Sequence, residues 1–288
     1  MLSIIICSRQ TVINNNLNEN IKNTVGCDYE LIVIDNSENK YSIFEAYNNG
    51  IEKSKGEYLC FIHDDILFHT KGWGEIINRI FNNNGNKQIG LIGVAGAKSK
   101  TKLPSLWWLC PKQDKIINII QHLPNGEIEK WVQGFGDAIN TEVVVVDGVF
   151  MAMRKDNRIR FSTKMIGFHN YDLNISFEYK KYGYKILASS EIWIEHFSLG
   201  NISKEWIESS HQIYNGYNNI LPLNLEGNKI NKAQEIANAK WFIEESFKYK
   251  RAKIAFTFWL KLFCLNPFLK YHIVFLKKYV TINLKNGN

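Results

Sequence analysis

Tyr58-Leu-Cys-Phe-Ile-His-Asp-Asp65 decides the fold. An apolar run that halts at two carboxylates reads as a buried strand delivering Asp64 and Asp65 to its carboxyl end, the edge at which open α/β sheets bind ligands. Oxygens so placed suit a divalent cation. A third carboxylate, Asp172, ends Ile166-Gly-Phe-His-Asn-Tyr-Asp172, and His196 follows as another ligand type. Together they are what a cation-assisted transfer from a phosphorylated donor requires. Each also has a plainer reading. Asp64 and Asp65 would serve as helix caps after a strand, Asp172 as a surface carboxylate, and His196 as a structural imidazole at a strand end.

Outward from that strand, apolar runs and helical spacings alternate. Leu2 to Cys7 and Leu31 to Ile34 read as strands, and Ile89 to Ala95 as a fourth. Ile13, Leu17 and Ile21, then Phe44, Tyr47 and Ile51, mark helices, and Trp73, Ile76, Ile77, Ile80 and Phe81 give the clearest amphipathic helix. Short apolar strands joined by helices imply right-handed crossovers and a mostly parallel sheet covered on both faces, a Rossmann-like α/β unit. From Lys98 to Ile139 the period is lost, and the stretch is read as long loops over the sheet edge. Regularity returns at Val143 to Val146, Phe150 to Arg154, a helix near Tyr171 to Tyr182 and a strand around Tyr184 to Ala188.

A chain of 288 residues, 45% hydrophobic, can bury a full core. Its five scattered cysteines contain no C-x-x-C pair, so neither a disulfide framework nor a zinc cluster is indicated and a reducing compartment fits. The amino-terminal apolar run is too short for a signal peptide or a membrane span, which places the protein in the cytoplasm. Charge is concentrated at the other end. Ser246 to Asn288 holds nine Lys or Arg and no acid, leaving 26 basic against 28 acidic residues elsewhere. Interleaved with Phe256, Phe258, Trp259, Leu260, Leu262 and Phe263, those charges would lay a basic amphipathic helix on the inner face of a membrane, as a peripheral contact. The alternative is that the aromatics pack inward and the lysines form a solvated face. No nucleic-acid module is recognisable, and nucleic acid is not expected as a partner.

Taken in order, Ser3-Ile-Ile-Ile-Cys-Ser-Arg9, Glu30-Leu-Ile-Val-Ile-Asp-Asn-Ser37, Tyr47-Asn-Asn-Gly-Ile51 and Gly56-Glu-Tyr-Leu-Cys-Phe-Ile-His-Asp-Asp65 resemble GT-A fold, family 2-like glycosyltransferases. Val146-Asp-Gly-Val-Phe-Met-Ala-Met-Arg154, Gly167-Phe-His-Asn-Tyr-Asp-Leu-Asn-Ile-Ser176 and His196-Phe-Ser-Leu-Gly200 are similar to a bacterial branch associated with capsule and other surface polysaccharides. The resemblance implies a GT-A domain over 1–215, with a nucleotide-binding half at 1–97 and an acceptor and catalytic half at 98–215, and a helical basic extension over 216–288. It implies an inverting transfer of one sugar from a nucleotide-sugar donor, a UDP-sugar foremost, to a saccharide or lipid-linked acceptor, with Mn²⁺ or Mg²⁺ as cofactor.

Residue by residue, the resemblance puts Cys7, Ser8, Arg9 and Asp35 on the base, ribose and phosphate of the donor. Asp64 falls on the ribose or a metal-bound water, and Gly148 beside the donor sugar. Asp65 would bind the cation, His196 would complete its shell, and Asp172 would be the general base. Two positions depart from the pattern. His63 replaces the first aspartate of D-x-D, and Tyr171 replaces the acid before the base. His169 carries no assigned role. Trp107 and Trp108 either stack on the acceptor or anchor a loop to the core. Two rivals stay open: a nucleotidyltransferase on sugar phosphates, which would want a glycine-rich loop where Ser8 to Ile13 has none, and a non-catalytic nucleotide-sugar-binding relative.

Overall fold

The computed structural model describes residues 1–83, 88–225 and 231–286. Its first part follows the periodicity: β1 (Leu2–Ser8), α1 (Asn15–Thr24), β2 (Tyr29–Asp35), α2 (Ile43–Lys53), β3 (Tyr58–Ile62), β4 (Ile66–Phe68), α3 (Trp73–Asn82) and β5 (Ile89–Gly93). Local chemistry sets the helix starts. The Asn14 side chain accepts from the Asn16 N–H ahead of α1, and Ser42 and Glu45 satisfy each other's backbone at α2 in a capping box. All five residues of β3 are buried, because both faces of the sheet are covered. On α3, Trp73, Ile77, Ile80 and Phe81 face the core, each worth roughly 1.5–3 kcal/mol of apolar burial.

Beyond β5 come β6 (Ala95–Ala97), β7 (Ser99–Lys100), β8 (Lys115–His122), β9 (Ile128–Gln133), β10 (Asn140–Val143), β11 (Val145–Val146) and β12 (Phe150–Arg154). The chain continues through α4 (Tyr171–Lys181), β13 (Lys185–Ser189), β14 (Ile194–His196), α5 (Lys204–Tyr217), β15 (Leu223–Asn224), α6 (Lys232–Lys248), α7 (Ala252–Leu265) and α8 (Tyr271–Asn286). The main sheet runs β10-β13-β5-β12-β3-β1-β2. β1 is parallel to β2 and β3, and β13 to β5, while β12 enters antiparallel between β3 and β5 and β10 runs antiparallel at the edge. The expected α/β architecture, mostly parallel and flanked by helices, is present.

A second sheet, β11-β6-β8-β14-β4 with β9 on β8, corrects the reading of 98–139 as loops. β8 and β9 pair from Ile117↔Gln133 to His122↔Ile128, closed by a turn in which the Leu123 N–H donates to the Glu127 carbonyl at 2.8 Å. The pattern hid this hairpin because β9 is largely solvent-facing and so lacks a clean apolar alternation. The fourth strand likewise ends at Gly93, and Ala95–Ala97 belongs to the second sheet.

The helices at the carboxyl end have their own core. Leu103, Trp206, Ile207 and Tyr214 join Phe242, Ile243, Phe258, Leu262 and Phe275 in one apolar cluster, so α5 already packs with the extension. Of the tail side chains expected on a membrane, Phe258 and Leu262 are wholly buried, Trp259 stacks on Phe275 at 4.7 Å and Phe256 lies 5.1 Å from Tyr279. Those four serve packing. Among the described residues, no helix is long and apolar enough to cross a membrane.

Candidate active site

Strand pairing assembles the site. β3 releases His63, Asp64 and Asp65 at its carboxyl end, and the chain turns at once into β4, which pairs antiparallel with β14 so that Ile66 faces His196. The Phe197 N–H donates to the Asp65 carbonyl at 3.1 Å. β14 in turn lies parallel to β8, with His196 opposite Gln121. His196 is thereby held between Asp65 and Gln121. His63 Nδ1 and His196 Nε2 each lie 3.7 Å from Asp65 Oδ1, and the three ligand atoms are all within 4.8 Å of one another.

Hydrogen bonding sets the tautomer of His196. The Gln121 amide nitrogen sits among the carbonyls of His122, His196 and Ser198, at 3.0, 3.2 and 2.8 Å, which share its two hydrogens, so its oxygen, 3.1 Å from His196 Nδ1, must accept. Nδ1 carries the proton and Nε2 the lone pair. That Nε2 is buried without a hydrogen-bond partner and faces Asp65. Burial, and then the neighbouring His63, push the His196 pKa down, keeping the ring neutral. Burial works to raise the Asp65 pKa, but the Ser198 hydrogen bond, the two neighbouring imidazoles and the Arg9 guanidinium outweigh it and hold the group below the usual range. A neutral imidazole with an inward lone pair, fixed from behind by an amide, beside an ionised carboxylate is a donor set that fits a divalent cation.

Tyr171 and Asp172 enter from the first turn of α4. The Tyr171 hydroxyl lies 2.5 Å from His63 Nε2, so the two departures from the family pattern are bonded to each other. Tyr171 needs the glycine at 148. A Cβ there would fall 2.4 Å from the Tyr171 hydroxyl oxygen and 2.6 Å from the carbon that bears it. Gly148→Ala is therefore expected to swing the ring off His63 and to cost about 1–3 kcal/mol of stability, read in a melting curve together with weakened cation-dependent donor binding. An unchanged melting temperature and unchanged binding would refute this packing role.

Asp172 has its pKa pushed up to about 7, first by burial and then by the negative charge of Asp147, against the Leu173 N–H that donates to its Oδ1 at 2.8 Å. In the sequence Asp147 appears only as a member of the Val146 to Arg154 motif, with no role of its own. In the fold its carboxylate accepts from the Trp107 indole at 2.8 Å and from the Val149 N–H at 2.9 Å. It is a second acid close enough to Asp172 to raise its pKa, in a chain that carries Tyr171 where the family pattern has one. No local spacing signals this role, since Asp147 reaches its partners only through tertiary packing. Gln121, inside the misread stretch, escapes sequence reasoning for the same reason.

At the carboxyl ends of the parallel strands, Arg9 spans from β1 to β3. Its backbone N–H donates to Asp64 Oδ2 at 3.0 Å, its guanidinium to Asp64 Oδ1 at 2.7 Å, and the same guanidinium lies 3.6 Å from Asp65. Ser8 is buried and pairs with Asp35 across β1 and β2. Asp35 is exposed, its carboxylate taken by the N–H and hydroxyl of Ser37. Burial raises the Cys7 pKa to about 11, so its thiol stays protonated.

A cleft of about 760 Å³ is lined by His63, His196, Gly148, Tyr171 and Asp172, with Trp107, Trp108 and His169 on its walls. Trp107 is buried in the main core and Trp108 is 38% exposed, so loop anchor and open wall fall to different residues of the pair. His169 lies 3.4 Å from the Ser203 hydroxyl, and burial lowers its pKa. Cys7, Ser8, Arg9, Asp35 and Asp64 stand outside this cleft, at the carboxyl ends of β1, β2 and β3.

Strand ends that carry a carboxylate and imidazoles beside a buried acid define a GT-A type α/β protein. The chain belongs to the glycosyltransferase-like family, whose profile matches residues 3–217. Among solved structures it is similar to GalNAc-T7 with UDP, GalNAc and Mn²⁺, at 12% identity and a TM-score of 0.51 over 86% of this chain and 57% of that one. It is also similar to residues 1–349 of TarS from S. aureus, at 13% identity and 0.50 over 97% and 80%. At such identities the likeness is one of fold. No curated protein matches the chain.

Proposed function

We propose that the protein is an inverting glycosyltransferase that moves one sugar from a nucleoside-diphosphate sugar, a UDP-sugar foremost, to a hydroxyl of a saccharide or lipid-linked acceptor. Its place would be bacterial surface-glycan synthesis such as capsule formation, in the cytoplasm at the inner face of the membrane. One observation carries the reading: Asp172, with a pKa near 7, opens into the same cleft as His63 and His196, which flank Asp65. A general base works best when its pKa lies near the operating pH. In the proposed reaction the Asp172 carboxylate accepts the proton of the acceptor hydroxyl as that oxygen attacks the anomeric carbon from the side opposite the diphosphate. Direct displacement inverts that carbon.

His63, Asp65 and His196 would hold Mn²⁺ or Mg²⁺, which when bound neutralises charge on the departing diphosphate. Tyr171 orients His63, and Gln121 orients His196. Arg9 and Asp64 would meet the phosphates and ribose, with Cys7, Ser8 and Asp35 beside the base, and the backbone at Gly148 would pass beside the donor sugar. Trp107 holds Asp147, and Trp108 offers an aromatic face to the acceptor. UDP, GDP, CDP and dTDP, each with and without Mn²⁺, form the test. A ligand at a hundredfold excess over its Kd adds about 2.7 kcal/mol to stability, a rise of roughly 5 °C or more in melting temperature. The reading expects one diphosphate to give this rise with Mn²⁺ present. If none of the four does so, the reading fails.

A further inference from the structure

We propose that the α7–α8 hairpin docks on an anionic lipid surface through Leu260 and Phe263, the members of the sequence stripe left outside, together with apolar residues of the turn and of α8. With Phe256, Phe258, Trp259 and Leu262 packed inward, the hairpin still presents a second apolar set outward. Phe268, in the turn between the two helices, is 94% exposed. Leu260 and Phe263 lie one helical turn apart on the outside of α7, and Ile273, Leu276 and Val280 repeat at helical spacing on α8, with Val274 beside them. Helices that have already buried one face do not ordinarily keep another apolar face in water, and an exposed patch of this kind marks an interaction site.

Charge identifies the occupant. The apolar set is interspersed with exposed Lys253, Lys270 and Lys277, and the chain from Ser246 onward has nine basic residues and no acid. A second copy of this chain would bring like charge against like. A nucleic acid would find few rings to stack on among Ile273, Val274, Leu276 and Val280. An anionic bilayer answers both features, taking the apolar side chains to the depth of the headgroup boundary while its phosphates receive the lysines. Such docking needs no spanning helix. It bears on the membrane location proposed above and not on the transfer chemistry, which its failure would leave untouched.

Co-sedimentation of the full-length protein with vesicles tests it, comparing phosphatidylcholine alone with phosphatidylcholine containing phosphatidylglycerol. The wild type is expected to sediment with the anionic vesicles, less so as salt rises, and to stay in solution with the neutral ones. The pairs Phe268→Ser with Ile273→Ser, and Lys270→Glu with Lys277→Glu, should each lower partitioning at least about tenfold. Because all four positions are exposed, melting temperatures should match the wild type. The proposal is overturned if anionic vesicles do not bind the wild type, or if neutral vesicles bind it equally. It is also overturned if the serine pair binds like wild type, which would reduce the contact to charge alone. Loss of self-association in the serine pair without any vesicle binding would name a second copy as the occupant and overturn it too.

Discussion

Asp172→Asn should slow transfer about 10²- to 10⁴-fold, the usual contribution of a positioned general base, while making the protein more heat-stable. The second half follows from the first. The Asp172 pKa is raised to about 7, by burial and then by Asp147, so the folded state prefers the protonated acid. A carboxyl group with a raised pKa costs nothing below its unfolded pKa, near 4, and costs progressively more as pH rises to about 7. At pH 8 the charge is carried in full at a cost of order a few kcal/mol, since each tenfold change in acidity corresponds to about 1.4 kcal/mol. Asparagine keeps the side chain's shape and its acceptor for the Leu173 N–H but has no charge to bury. Its melting temperature should exceed that of the wild type at pH 8 and converge with it at pH 4. In the wild type, turnover should rise with pH to a plateau above about 7, and this limb should vanish from the residual activity of the variant. Equal rates for the two proteins would remove Asp172 from catalysis.

Asp65→Asn and His196→Ala should each lower Mn²⁺-stimulated turnover by about a hundredfold, because the first replaces a charged carboxylate with a neutral amide and the second removes one of three converging ligand atoms. Gln121→Leu is the more discriminating variant. It touches no reacting group, yet it frees His196 Nδ1 and with it the tautomer that aims the Nε2 lone pair inward. A loss of about 10- to 100-fold in apparent cation affinity is expected, with the rate at saturating Mn²⁺ largely retained. Titration of each variant with Mn²⁺ separates the two effects. A wild type whose rate is indifferent to chelation would show that the trio holds no functional ion.

How much of the molecule is legible in its sequence varies with the range of the interactions involved. The end of β3 can be read because an apolar run terminating in acids is a local signal, and α2 and α3 because capping and helical period are local too. The second sheet cannot, because β8 is held in place only by pairing with β6, β9 and β14, and β9 turns much of its length to water. The same limit hides Asp147 and Gln121, whose partners lie 40 and 75 residues away in sequence. His63 and Tyr171 look like two separate defects in a family pattern. Their hydrogen bond, across 108 residues, makes them one structural unit. In the tail, spacing reveals that α7 is amphipathic but not which of its faces packs, since that depends on α6 and α8.

A cation pocket and a proton acceptor that converge on one donor are the core of the proposed chemistry. Crystals soaked with Mn²⁺ and UDP and measured at a wavelength where manganese scatters anomalously test that convergence most directly. The expected result is a single strong anomalous peak bonded to His63, Asp65 and His196, with the diphosphate oxygens on its open side and the Asp172 carboxylate facing the space beyond them. Manganese bound elsewhere beside an ordered diphosphate, or an Asp172 carboxylate turned away from that space, would contradict it.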